Sequence, residues 1–202
     1  MPVQTQGINR VRTRKGNFMT INPWHPWHNV SVGKKVPSLV TAIIEIPRGS
    51  KSKYEIDKES GMLGFDRVLS SSVFYPTNYG FIPQTYCDDG DALDIMVLGQ
   101  EPAMPLCLMN TRVIGAMKMI DGGEEDDKIL AVHVDDPHYK NIQELSEVNA
   151  HVIREIEQFY RSYKALEKKT VEINGWVDRA AAEKIVEKAI ELYNKNKEKL
   201  TK

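Results

Sequence analysis

The chain has 202 residues, enough for one domain with a sizeable core and at most a small appendage. With 41% hydrophobic and 27% charged residues it is too apolar for a disordered chain, and no run approaches the ~20 apolar residues of a membrane span. A formal net charge of −1 gives no global attraction to nucleic acid or an anionic membrane, and Cys87 and Cys107 read as free thiols of a reducing compartment.

No acidic residue precedes Glu45, whereas Arg10, Arg12, Arg14, Lys15, Lys34 and Lys35 all do. Residues 1–35 therefore read as an extended basic N-terminal arm, lying on the domain or on a neighbouring subunit. An acid-poor, Arg-bearing start also fits an organellar transit segment, and it lacks the apolar core of a secretory signal. The stretch Asn22-Pro23-Trp24-His25-Pro26-Trp27-His28 reads as an anchored extended connector, its histidines packed rather than metal-bound.

Val40–Ile46 is an apolar strand ended by Pro47. Lys53-Tyr54-Glu55-Ile56-Asp57 alternates, with Lys53, Glu55 and Asp57 on one face and Tyr54 and Ile56 on the other. A turn at Glu59-Ser60-Gly61 follows, then strands at 65–70, 93–98, 111–120 and 129–134. Short strands at close spacing with little helix between them predict an antiparallel β-barrel over about 36–135. From about 146 to 199 the pattern is helical. Val152, Ile156, Phe159, Tyr163 and Leu166 recur at helical spacing, and Asp178 is a fitting N-cap for a second helix with Ala182, Val186, Ala189 and Tyr193 on its inner face. The Lys- and Glu-rich tail after Asn194 reads as a solvated, fraying end. Residues 36–202 are thus expected to form a single domain, a barrel with helices packed outside it.

The chemistry-bearing stretch is Asp88-Asp89-Gly90-Asp91-Ala92-Leu93-Asp94, which runs straight into the apolar strand Ile95-Met96-Val97-Leu98. Two like charges about 4 Å apart repel by roughly 4 kcal/mol at an effective dielectric near 20. Such a cluster at the edge of a core is tolerable only if cations neutralise it or some groups take up protons. Asp89 and Asp91, two apart, can point the same way, and Asp94 can approach from the next turn of chain.

A second acidic group, Asp121-Gly122-Gly123-Glu124-Glu125-Asp126-Asp127-Lys128, is a Gly-bent loop between two apolar strands. If those strands neighbour 93–98, Asp121 and Asp126 face the first cluster. The candidate ligands are all carboxylates, which selects Mg²⁺, Mn²⁺ or Ca²⁺ over zinc, and the spacing is not that of an EF-hand loop. Lys53, Arg67, Lys128 and Lys164 sit at the margins of apolar elements, as do Tyr75, Tyr79 and Tyr163. Glu45, Glu55, Asp89, Asp91, Asp94, Asp121 and Asp126 outnumber the four cations by three charges. A substrate bearing about four negative charges could join them only with several divalent ions, which is the logic of multi-metal phosphoryl transfer.

These residues resemble a known family. The motif Asp89-Gly90-Asp91-x-Leu93-Asp94, with Glu45-Ile46-Pro47, Lys53-Tyr54-Glu55-Ile56-Asp57, Asp66-Arg67, Phe74-Tyr75-Pro76-x-Asn78-Tyr79-Gly80, Asp121, Asp126-Asp127-Lys128 and Tyr163-Lys164, is similar to the soluble family I inorganic pyrophosphatases from about Val36 to Lys169. The resemblance implies a five-stranded OB-type antiparallel barrel with helices outside, and Mg²⁺-dependent hydrolysis of pyrophosphate to two phosphates by a metal-activated water. It implies three to four Mg²⁺ per site, with Mn²⁺ as a substitute. By the same resemblance Asp91 is the catalytic base. Asp89, Asp94, Asp121, Asp126 and Glu45 hold metal, and Lys53, Arg67, Tyr79, Tyr163 and Lys164 bind substrate. Glu55, Tyr75 and Lys128 support them. The family's bacterial members imply a homo-oligomer, a hexamer, in the cytoplasm, or in an organelle if the basic start is a transit segment. One departure stands out: the family has Pro where this chain has Ala92, which puts the loop's stiffness in question rather than its ligands. The rival readings are weaker. A nucleic-acid-binding barrel needs a basic groove with stacking aromatics, whereas this groove is acidic; a non-catalytic cation-binding scaffold would have lost a ligand, and every ligand position is filled.

Overall fold

The computed structural model describes residues 24–201, together with the backbone of β1 (Arg10–Arg12) and β2 (Phe18–Thr20), which pair antiparallel. Arg14, Lys15, Asn22 and Pro23 lie outside the described residues. The connector after them is not extended throughout, as expected, but contains a helical turn, α1 (Pro26–Asn29). Pro26 opens it with a pre-set φ, and the His25 ring nitrogen Nδ1 accepts from the Trp27 N–H at 3.2 Å. Trp27 is buried, and its indole N–H donates to the Thr85 carbonyl at 2.8 Å. Burial of one large aromatic, worth about 2–3 kcal/mol, is enough to seat so short a turn.

The strands follow as β3 (Leu39–Ile46), β4 (Ser52–Ile56), β5 (Leu63–Val68), β6 (Asn78–Phe81) and β7 (Asp94–Leu98). Then come β8 (Leu108–Asp121), β9 (Glu124–Glu125) and β10 (Lys128–His133). The pairs β3–β6, β6–β7, β7–β10, β10–β8 and β8–β3 close a ring of five strands. This is the OB-type barrel, with one correction to the antiparallel expectation: β7 and β10 run parallel. Strand direction cannot alternate all the way around an odd ring, so one parallel pair is unavoidable.

Strand β6 was not visible in the residue pattern, because Asn78-Tyr79-Gly80-Phe81 is short, follows Pro76 and is buried at every position. Gly80 is there for space: a Cβ would lie 1.9 Å from the Ile43 carbonyl oxygen of β3. The clean alternation expected for β4 is broken as well. Lys53 pairs with Arg67 but Tyr54 with Phe65, so Asp66 bulges out of the β4–β5 hairpin, and Tyr54 to Ile56 share one wall.

Period two divides the buried ring residues between two cores. Ile95, Val97, Ile129 and Ala131 pack with Ala182, Val186 and Ala189 of α3 (Arg179–Leu200). Met96, Leu98, Leu130 and Val132 pack with Ile156, Phe159 and Tyr160 of α2 (Ala150–Ser162). Asp178 caps α3 by accepting from the Ala181 N–H at 2.9 Å, and the tail expected to fray stays helical to Leu200. Two further corrections come from this end of the chain. The apolar stripe stops at Tyr163, because α2 ends at Ser162 and a 3₁₀ turn (Ala165–Glu167) leaves Leu166 exposed. A strand, β11 (Val171–Asp178), interrupts the helical third and pairs with β8. Its register shifts between Ile173 and Trp176 around Gly175, which hides the alternation. Among the described residues no helix is long and apolar enough to cross a membrane, and both cysteines are free thiols.

Candidate active site

The parallel pair decides where the acids go. Ile95 pairs with Ile129, so the residues just ahead, Asp94 and Lys128, start neighbouring strands at the same end of the ring. The loop before β7 brings Asp89 and Asp91 there too. Gly90 takes φ +87, Asp89 accepts from the Asp91 N–H at 3.0 Å, and Cys87 N–H donates to the Asp91 carbonyl at 2.8 Å. Antiparallel neighbours β8 and β10 place Asp121, at the end of β8, and Asp126, just before β10, on the same rim. The Gly122-Gly123 turn between them needs positive φ at both residues.

The two acidic segments meet on one ammonium group. Lys128 Nζ lies 2.7 Å from Asp94, 3.0 Å from Asp126 and 3.1 Å from the Tyr79 hydroxyl. Tyr79 in turn donates to Asp94. Across the cavity Lys164 and the Tyr163 hydroxyl both donate to Asp121. Lys53 pairs with Glu55 and, at 3.1 Å, with Asp66. The space enclosed is about 350 Å³, within the range of small-molecule sites.

Of the fourteen residues singled out in the sequence, thirteen line this cavity: Asp91, Asp89, Asp94, Asp121, Asp126, Glu45, Lys53, Tyr79, Tyr163, Lys164, Glu55, Tyr75 and Lys128. Arg67 does not. Its guanidinium is held outside the lining by Asp66 at 2.6 Å and Glu167 at 3.2 Å, because the hairpin bulge turns it toward the 3₁₀ turn after α2. Sequence reasoning missed Trp27, Lys58, Phe81 and Tyr160. Tyr160 had a signal, being three residues before Tyr163 on one helix face. Trp27 had none, since only the packing of α1 brings it to the wall.

Burial sets the charge states. Glu45, buried and accepting from the Ile56 N–H at 2.7 Å, has its carboxyl pushed up to about 8 by desolvation, with Asp94 adding to the effect. Asp89 is raised to about 6, again mainly by burial. Burial also raises Asp126, with Lys128 opposing and Asp94 adding. Burial works against the Lys128 ammonium, yet Asp126 and Asp94 hold it well above its ordinary value, so it stays charged. Burial raises the phenols of Tyr75, Tyr79 and Tyr163, which therefore remain protonated donors.

The donor set is Glu45, Asp89, Asp91, Asp94, Asp121 and Asp126, oxygen throughout, which fits hard divalent cations. Among the described residues no three of these acids form a ready-made cage. Lysine ammonium groups stand between them instead, and Glu45 carries a proton at neutral pH. The cavity thus collects positive charge from whatever source is at hand, as a polyanion site must.

Comparison with known proteins agrees with this geometry. The family model described as inorganic pyrophosphatase matches residues 42–194. The chain belongs to the inorganic pyrophosphatase family. It is 46% identical over 172 residues to soluble inorganic pyrophosphatase 2 of Chlamydomonas reinhardtii, covering 85% of this chain and 90% of that one. Soluble inorganic pyrophosphatase 3 of Arabidopsis thaliana is 46% identical over 169 residues, covering 84% and 78%. The crystal structure of inorganic pyrophosphatase from Thermus thermophilus superimposes with a TM-score of 0.80 at 40% identity, over 86% of this chain and 99% of that one. The pyrophosphatase match takes in every residue singled out for the site, while Trp27 lies ahead of the family model's span.

Proposed function

We propose that the chain hydrolyses inorganic pyrophosphate to two phosphates with the help of divalent cations. Mg²⁺ is the ion its oxygen donors suit best and Mn²⁺ the substitute. The observation that carries this reading is the convergence of Asp89, Asp91 and Asp94 with Asp121 and Asp126 around lysine ammonium groups in one cavity, in a member of this family.

In the proposed arrangement Asp89, Asp94 and Asp126 would hold cations, Asp121 with Asp126 another, and Glu45 a further one, three to four in all. When bound, such ions lower the pKa of water and neutralise charge on the phosphoryl groups. The chain supplies the rest. Asp91 takes the proton from the attacking water at its carboxylate. Lys53, Tyr79, Tyr163 and Lys164 donate to the phosphoryl oxygens, so charge on the departing phosphate is met by fixed donors rather than by reorganising water. Arg67 serves from the margin, where Asp66 and Glu167 hold it. Glu55, Tyr75 and Lys128 keep these groups in place. Assembly as a homo-oligomer, hexameric by family likeness, and residence in the cytoplasm belong to the same proposal.

The test is direct. Protein stripped of divalent ions is expected to release no phosphate from pyrophosphate, and Mg²⁺ to restore release. Phosphate release from stripped protein, or none after Mg²⁺ is returned, would overturn the reading.

A further inference from the structure

Four lysines stand on the cavity wall among the described residues, and three of them are fixed. Lys128 is 3% exposed and shared by Asp94, Asp126 and Tyr79. Lys164 and Lys53, 15% and 17% exposed, are held by Asp121 and by Glu55 with Asp66. Lys58 differs. Its side chain is 56% exposed and its one close partner is Asp91, at 2.5 Å, with a longer contact of 3.4 Å to the Gly90 carbonyl.

The base of that side chain is nonetheless firm. Lys58 sits in the turn of the β4–β5 hairpin, where Asp57 N–H donates to the Met62 carbonyl and Gly61 N–H to the Asp57 carbonyl, both at 2.8 Å. The Ser60 N–H and hydroxyl close on the Asp57 carboxylate at 2.8 and 2.5 Å. A rigid mount with a free tip is what a swinging cation needs.

Resting on the function proposed above, we propose that Lys58 is a further substrate-binding residue. Its ammonium neutralises Asp91 in the cation-free cavity and passes to a phosphoryl oxygen when pyrophosphate enters. An exposed ion pair is weak enough to exchange, and a phosphoryl oxygen is the stronger charge-assisted acceptor. The exchange also clears Asp91: its carboxylate becomes the better proton acceptor for water once the ammonium 2.5 Å from Oδ1 has moved away. Substrate arrival and release of the base are then one event.

The experiment compares wild type with Lys58→Met and Lys58→Arg. Lys58→Met is expected to raise KM for pyrophosphate about tenfold while kcat falls far less, the pattern of a lost binding contact. Binding of the non-hydrolysable analogue imidodiphosphate with Mg²⁺, measured by calorimetry, is expected to weaken by a similar factor. Lys58→Arg is expected to recover most of both, because the charge returns. Calorimetry with Mn²⁺ alone is expected to show equal or tighter binding in Lys58→Met, since a competing positive charge has left. KM and analogue affinity within twofold of wild type would overturn the proposal, as would a fall in kcat at constant KM or weaker Mn²⁺ binding. A wild type that binds the analogue but releases no phosphate would overturn the function reading instead, leaving Lys58 to be judged on the binding arm.

Discussion

Asp94 and Lys128 stand side by side as the first residues of two parallel strands, carboxylate and ammonium 2.7 Å apart. Replacing Lys128 by Met leaves Asp94 and Asp126 facing each other without their shared, buried cation. The expected cost to the metal-free protein is about 3 kcal/mol or more. Saturating Mg²⁺ is expected to recover a large part of it, because a cation returns to the same place. Urea unfolding of the variant with and without Mg²⁺ checks both halves; equal losses in the two conditions would contradict them.

Asp91 is more than half exposed at the cavity mouth, so its replacement has little to disturb in the core. Asp91→Asn keeps the shape and removes the proton acceptor. Phosphate release is expected to fall by roughly 10²–10⁴-fold with the circular dichroism spectrum unchanged. A rate near wild type would remove Asp91 from the role of base.

Glu45 gives a pH signature. Its carboxyl is near 8 in the folded protein against 4.5 ordinarily, because the folded state strips water from it. The folded state therefore holds the proton more tightly than the unfolded chain. Glu45's relative contribution to stability is full below about pH 4.5 and is lost as the pH rises through about 8. In metal-free protein, Glu45→Gln is expected to match wild type at the acid end and to become progressively more stable than it across that window. Denaturant midpoints at several pH values test this, and parallel curves would refute it. Mg²⁺ binding at pH 7 is expected to expel the Glu45 proton, readable by calorimetry in buffers of different ionisation enthalpy.

Gly80 tests the ring itself. With the Ile43 carbonyl oxygen 1.9 Å from where a Cβ would stand, Gly80→Ala must push β6 away from β3. Both are central strands, and Tyr79 is the next residue. A loss of about 3 kcal/mol or more is expected, with a lower Tm and reduced activity together. An unchanged Tm would show that the two strands can part at no cost.

Much of this was legible from the residues. Asp89, Asp91 and Asp94 announced themselves because carboxylates so dense at the head of an apolar strand, with a second acidic group flanking its neighbours, fit a cation site better than an acidic surface turn. Asp126 and Lys128 followed for the same reason, and Asp178 and the α3 face obeyed capping and periodicity without competition. What could not be read is what tertiary contact alone decides. Strand β6 is four residues long, Gly175 breaks the rhythm of β11, and an odd closed ring forces one pair, here β7 and β10, to run parallel. Arg67 looked equivalent to Lys53 until the bulge at Asp66 turned it outward. Trp27 carries no mark in the chain of the cavity it reaches.

That indole has a practical consequence. Trp27 is almost wholly shielded, stacks on His28 at 4.8 Å and forms part of the cavity wall. Trp24 is largely in solvent, and Trp176, on β11, donates to Glu157 and does not line the cavity. The protein thus carries its own optical gauge: a change in emission as ions or phosphates enter would come chiefly from one chromophore, against two steady backgrounds.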